Sequence, residues 1–408
     1  MLSEEAIDNL IEPFIRRQEE LNMYVVEMIA KAIKRTGEIT PAQMNQLERL
    51  YKTGSDVRKI NKELARVSGL QVSSIKKLIS TIALDGYKDS KPFFDYRKKP
   101  FIPFSENRQL QRVVKTIANQ TAKEYTNLSK AQAFMLRDPK NPKKLIPTPA
   151  AKAYQQVLDQ AIQAVQSGAV SYNVAMRKVL DELSDSGLRV VYQAESGKIH
   201  SQRMDVAVRR NLLDGVKAIN QGVQDEVGKE FGADGKEISV HRYSAPDHEP
   251  IQGHQFSNTE YEKLQSEKPF KDALEIEFKP IRRKIGTWNC RHFTYSVILG
   301  HSKPVHSLEE LQKYIDENQK GYTLPNGRHL TMYECTQEQR RYEREIRRAK
   351  QEKMISDAAG NSEKAAKAAA KVSRLTKEYK EFSKACGLSI KPDRIQVRGY
   401  TQKVSAKS

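Results

Sequence analysis

Cysteine and tryptophan are nearly missing from this 408-residue chain, which holds three of the first and one of the second. The three thiols, Cys290, Cys335 and Cys386, are widely spaced and odd in number. They make no disulfide framework, which points to a reducing compartment. Long apolar runs are missing too, since no stretch approaches the eighteen or so apolar residues that cross a bilayer. The opening M-L-S-E-E-A-I-D-N-L has neither the basic nor the apolar segment of a signal peptide. No membrane partner is expected. Aromatic residues make up only 7% of the chain, and mean hydropathy is −0.70. This composition predicts a mainly helical protein with elongated parts whose apolar stripes need other surfaces.

Positive charge is what the chain has in excess. Lys and Arg number 70 against 51 Asp and Glu, a net charge of +19. Charged residues reach 30%, against about 25% in ordinary globular proteins. Such a balance favours a polyanion, double-stranded DNA above all, held by non-specific electrostatics, because each basic group set on a phosphate releases counterions. The length allows about two or three domains.

The N-terminal region, residues 1–136, reads as helical. Ile7, Leu10, Ile11, Phe14 and Ile15, then Val25, Val26, Ile29 and Ile33, recur at threes and fours around Pro13, which should kink the helix or mark a first turn. Thr40 and Pro41 are set to cap and start another helix. Residues 61–78 resemble a helix-turn-helix with Gly69 at the turn, and its second helix would carry Lys76 and Lys77. A plain helical hairpin with a Gly cap fits the same spacing. In K-P-F-F-D-Y-R-K-K-P-F-I-P-F, residues 91–104, aromatic and basic residues alternate. That suits either a stacking platform for nucleic acid or a connector docked on neighbouring helices. A helix is expected from about 106 to 135, and R-D-P-K-N-P-K-K-L-I-P-T-P, residues 137–149, reads as a Pro- and Lys-rich linker.

Residues 150–330 read as helices followed by a small α+β unit, with a short strand around Val190 and strand character at Ile238, Val240 and Tyr243. This unit, from His241 to His292, concentrates the chemistry of the chain. His241, His248, His254, Cys290 and His292 are candidate nitrogen and sulfur donors for a metal, and zinc is the ion they would suit. Cys290 with His292 or His248 as base, oriented by Asp247 or Glu249, has the residue types of a thiol hydrolase. In a purely structural reading, the same side chains hydrogen-bond loops together and Trp288 fills a small core. All three stay open at this point, with no cofactor expected under the structural one.

S-A-P-D-H-E-P-I-Q-G-H-Q-F-S and the later G-T-W-N-C-R-H-F resemble the signature of the phage minor capsid protein 2 family. The second stretch is also similar, more loosely, to an ending found in phage Mu F-like head morphogenesis proteins. The stretches I-K-R-T-G-E-I-T-P-A-Q-M-N-Q-L-E-R-L and A-R-V-S-G-L-Q-V-S-S-I look like the helical N-terminal region of the same family. The matching motif residues here are Asp247, His248, Gly253, Phe256, Gly286, Asn289, Cys290, Arg291 and His292. The resemblance implies a minor component of a tailed-phage head, in the virion once assembled and in the host cytoplasm before that. It implies partnership with portal protein and major capsid protein, contact with packaged DNA, and no catalytic residue. A DNA-binding regulator using residues 61–78, or a hydrolase centred on Cys290, would be the alternatives.

Beyond the motifs, Asn326-Gly327 predicts a hairpin. Thr336 and Gln339 predict a capping box that opens a long basic helix over residues 331–387, broken into a hairpin at Gly360-Asn361. Residues 336–384 hold 14 basic and eight acidic residues, a difference of +6. Arg340, Arg341, Arg344, Arg347 and Arg348 are the candidates there for phosphate contact. Residues 388–408 read as a loosely ordered basic tail.

Overall fold

A computed structural model describes residues 4–37, 55–96, 98–138, 140–166, 183, 186–193, 199–264, 270–271, 276–278, 281, 284–286, 290 and 292–400. The chain is mainly helical with small antiparallel sheets. Along it run α1 (Glu4–Gly37), α2 (Ser55–Lys88), α3 (Lys91–Tyr96), α4 (Arg108–Lys130), α5 (Ala150–Gln166), α6 (Met204–Phe231), α7 (Asn258–Leu264), α8 (Leu308–Lys320), α9 (Met332–Ala358) and α10 (Ser362–Ala385). The strands are β1 (Gln132–Asp138), β2 (Asn141–Thr148), β3 (Arg189–Gln193), β4 (Ile199–Arg203), β5 (Gly235–Ile238), β6 (Gln255–Ser257), β7 (Phe270–Lys271), β8 (Glu277–Phe278), β9 (Thr294–Val297), β10 (Tyr322–Thr323) and β11 (His329–Leu330). Among the described residues, no helix is long and apolar enough to cross a membrane. Two compact units are formed, each from three separated stretches: residues 1–13, 71–125 and 209–337 in one, residues 14–70, 126–208 and 338–408 in the other.

Helix α1 runs through Pro13 without ending. Buried Ile11, Phe14 and Ile15 flank the proline, and Val25, Val26 and Ile29 continue the stripe. Burial of each such side chain is worth roughly 1.5–3 kcal/mol, which together outweighs the roughly 3 kcal/mol cost of an internal proline. Residues 61–78 lie wholly inside α2, a single 34-residue helix, so neither a helix-turn-helix nor a hairpin forms there. Buried Ile60, Val67, Gln71, Ile75, Leu78 and Ile82 keep helical phase across Gly69. One exposed glycine costs about 1 kcal/mol against alanine, too little to break such a stripe. The helix expected at Thr40-Pro41 lies outside the described residues.

The second unit holds a four-stranded antiparallel sheet in the order β2-β1-β3-β4. Most of the stretch at 137–149 is therefore strand and not linker: residues 141–148 are β2, with Phe134 opposite Thr148 and Leu136 opposite Ile146. Because β2 is an edge strand, Pro142 and Pro147 need not supply ladder hydrogen bonds. The strand at Val190 is β3, paired with both β1 and β4. Helices α9 and α10 form the expected hairpin, closed over Ile346, Ala349, Val372, Leu375 and Tyr379. The turn uses Gly360 at φ +74°, and the Asn361 side chain accepts from the Lys364 amide.

In the first unit the aromatic stretch at 91–104 turns inward. Tyr87 stacks on Phe101 at 4.8 Å between ring centroids, Phe94 meets Phe101 edge-on at 5.3 Å, and Phe93 stacks on Phe231 at 5.5 Å. Phe94 is buried by these contacts while Tyr96 stays exposed, so the docked connector describes most of this stretch. The motif region is a three-stranded sheet, β6-β5-β9. Strand β5 is shorter than Val240 and Tyr243 suggest, and Tyr243 has a positive φ of +57°. Strand β9 is fixed to α6, since the Ser296 hydroxyl donates to the Gln224 carbonyl and the Thr294 hydroxyl to the Gln221 side chain. Below the sheet Ile238, Ile251, Phe256, Leu264, Phe278 and Ile281 form a buried cluster. The Asn326-Gly327 hairpin is β10–β11. The capping box that opens α9 sits five residues before the expected one: Thr331 accepts from the Glu334 amide while the Glu334 carboxylate accepts from Thr331 N–H.

Candidate functional site

Between β5 and β6 the chain makes a compact series of turns. The Ala245 carbonyl accepts from the amides of both His248 and Glu249, and the His248 carbonyl accepts from the Gln252 amide. Gly253 closes the series at φ +76°, its N–H donating to the Ile238 carbonyl. A Cβ at Gly253 would stand 2.4 Å from Leu311 Cδ2 and 2.9 Å from Val240 Cγ2. Glycine is required there on both conformational and packing grounds. Glu249 leaves the turns in the other direction, where the side-chain amides of Asn318 and Gln319 on α8 donate to its carboxylate. That carboxylate anchors α8 and does not orient His248 or His292.

The second half of the site comes from residues just before β9. Ser239 N–H donates to the Phe293 carbonyl and Phe293 N–H donates to the Ser239 hydroxyl, which holds Phe293 beside the end of β5. Cys290 and His292 stand close together here. His248 reaches them from the turns. Its Nδ1 lies 3.3 Å from His292 Nδ1 and 3.4 Å from Cys290 Sγ, and Sγ lies 3.6 Å from His292 Nδ1. All three residues are buried, His248 and His292 at 1% exposure and Cys290 at 3%.

The other ring nitrogens face oxygen. His292 Nε2 is 3.4 Å from both Gln252 Oε1 and Ser244 Oγ, and His248 Nε2 is 3.8 Å from the Asp247 carboxylate. Gln252 Oε1 also accepts from the His241 amide. Burial pushes the Cys290 thiol up, but the hydrogen bond and electrostatic pull of His248, a backbone contact from Gly286 and the nearby Lys217 leave it below its ordinary value.

Of the five predicted donors, three converge and two do not. His241 lies beside His292, with ring centroids 4.2 Å apart, and its Nδ1 is taken up by the Arg242 carbonyl at 3.2 Å. His254 packs against Phe278 and Phe256 in the apolar cluster. Phe256 is buried at the centre of that cluster, and Gly286 turns at φ +84°. Trp288, Asn289 and Arg291 lie outside the described residues. Sequence reasoning missed Ser244 and Gln252; both sit inside the first motif, but only the folded turns bring them to His292.

The proposed phosphate contacts divide differently. Lys76 and Lys77 are exposed on α2, and Arg344 and Arg348 are exposed on α9. Arg340 is partly covered. Arg341 is paired with Glu338 and Glu345. Arg347 pairs with Glu19 at 2.9 Å and donates to the Arg394 carbonyl.

A sequence model of one protein family, described as Phage minor capsid protein 2, matches residues 2–384. No curated protein matches the chain, and no solved structure does.

Proposed function

Because the chain belongs to the phage minor capsid protein 2 family, we propose that it is a structural, non-catalytic component of a tailed-phage head that binds the portal and the major capsid protein and touches packaged DNA. The observation that carries this reading is the extent of the family match, which takes in both motif stretches and the long helices on either side of them. A match confined to residues 244–293 would speak for one module. This one speaks for the architecture as a whole.

The charge of +19 supports the DNA contact. Arg344 and Arg348 on α9, and Lys380 and Lys384 on α10, are exposed basic groups in the hairpin. Much of the remaining surface charge there is paired at helical spacing, as in Lys367–Glu363 and Arg374–Glu378. Contacts of this kind position a protein on phosphates and carry no sequence information. Residues 61–78 lie inside one helix, so that segment lends no support to a sequence-reading regulator.

Binding of the purified chain to portal oligomers, to capsid shells and to duplex DNA across a salt series tests the proposal. Saturable binding to portal or shell, with unselective DNA binding that weakens steeply with salt, is the expected result. Failure to bind both portal and shell, or salt-resistant preference for one DNA sequence, would overturn it.

A further inference from the structure

We infer that His248 Nδ1, Cys290 Sγ and His292 Nδ1 are three ligands of one zinc-class divalent ion, which clips the turns after β5 to the segment leading into β9. Such an ion makes tetrahedral bonds of about 2.0–2.1 Å to imidazole nitrogen and about 2.3 Å to thiolate sulfur, which places two nitrogens about 3.3 Å apart and nitrogen and sulfur about 3.5 Å apart. The three separations here are 3.3, 3.4 and 3.6 Å. The triangle has the dimensions of one face of that tetrahedron.

Hydrogen bonding among the three side chains explains the arrangement less well. Each Nδ1 has one in-plane direction, holding either a lone pair or a proton, and the thiol has one proton. Three atoms that all lie within 3.6 Å of one another cannot each be aimed at two neighbours, whereas all three can be aimed at a common centre. The outer contacts agree. Ligating histidines commonly donate their other N–H to an oxygen, which fixes the tautomer. His292 Nε2 has Gln252 Oε1 and Ser244 Oγ for this, each at 3.4 Å, and the Asp247 carboxylate lies 3.8 Å from His248 Nε2, where it acts by charge. In the tautomer with the protons at Nε2, two lone pairs meet the sulfur in a buried space.

The donor chemistry selects the ion. Two imidazoles and a thiolate suit zinc and its neighbours and not calcium or magnesium, which take oxygen. Burial argues for a structural role, and a nucleophilic Cys290 would need an open face that its 3% exposure does not give. The fourth position of the tetrahedron remains for a further ligand. This inference stands on the geometry alone and survives failure of the head assignment.

The test is metal analysis of the full chain, purified without chelator, followed by exchange of the ion for cobalt(II). One zinc per chain is expected, with a thiolate-to-cobalt charge-transfer band and the visible spectrum of a tetrahedral site. Cys290→Ser should abolish the band, and Cys335→Ser, which changes another buried thiol, should leave it. Gln252→Ala should weaken zinc binding by about tenfold or more, as loss of an outer partner does. Folded wild-type chain that takes up no zinc from excess would overturn the inference without reference to any variant. So would a cobalt spectrum unchanged by Cys290→Ser, or stoichiometric alkylation of Cys290 in the zinc-treated folded protein.

Discussion

His248 and His292 stand 44 residues apart in sequence and 3.3 Å apart at their Nδ1 atoms. Between them the chain forms β6, α7, β7 and β8 and buries Phe256, Leu264 and Phe278. The two motif stretches are thus halves of one construction. The first supplies His248, Asp247 beside it, and the Ser244 and Gln252 oxygens that meet His292; the second supplies Cys290 and His292.

Gly253 is the position in this construction least able to change. Gly253→Ala must place a side chain at positive φ and drive a methyl into Leu311 and Val240. A loss of about 2–4 kcal/mol is expected, from combined strain and overpacking. Gly286→Ala has the same backbone problem at φ +84° but open space around the new Cβ, so about 1 kcal/mol is expected from conformation alone. Denaturant unfolding of the two variants side by side checks this. Equal losses would contradict the packing account.

The residue types that converge, two His and one Cys, were legible in the sequence, and so were the two motif stretches that carry the family resemblance. Their selection was not. His241, His248 and His254 look alike in sequence, yet only His248 is turned toward Cys290, because the hydrogen bonds from Ala245 to Gly253 set its direction. Helix signals were read well where a buried stripe and a break coincided, as at Gly360-Asn361. They misled where a break residue stood within an intact stripe, as at Gly69 in α2. The Pro- and Lys-rich stretch at 137–149 was misread because composition does not reveal an edge strand, which tolerates proline that a central strand would reject.

Arg344 and Arg341, three residues apart on α9, should differ in DNA binding. Arg344 is exposed, whereas Arg341 bridges Glu338 and Glu345. Arg344→Ala should lower the slope of log affinity against log salt by about one, the share of one phosphate contact. Arg341→Ala should leave that slope unchanged and cost about 0–1 kcal/mol of stability, as exposed ion pairs do. A larger DNA effect at Arg341 than at Arg344 would count against the assignment.

Glu343 gives the hairpin a pH dependence of known sign. Burial raises its carboxyl above the ordinary value, against the opposing pull of Arg394, Arg347 and Arg340 and of the hydrogen bond from Tyr379. The folded state therefore holds this proton more firmly than the unfolded state, and the associated stability is lost as pH rises through the folded value. Glu343→Gln, which is uncharged at every pH, should stabilise the protein at neutral pH. Its advantage should shrink as the medium is acidified below the ordinary carboxylate range, about pH 4.3. Unfolding midpoints measured at several pH values check this, and a pH-independent difference or a loss at neutral pH would contradict it.

If this chain is built into the phage head, quantitative mass spectrometry of purified, DNA-filled particles from the phage that encodes it will find it in every preparation, at far fewer copies than the major capsid protein. Infectious particles that lack it would show that it is no part of the head.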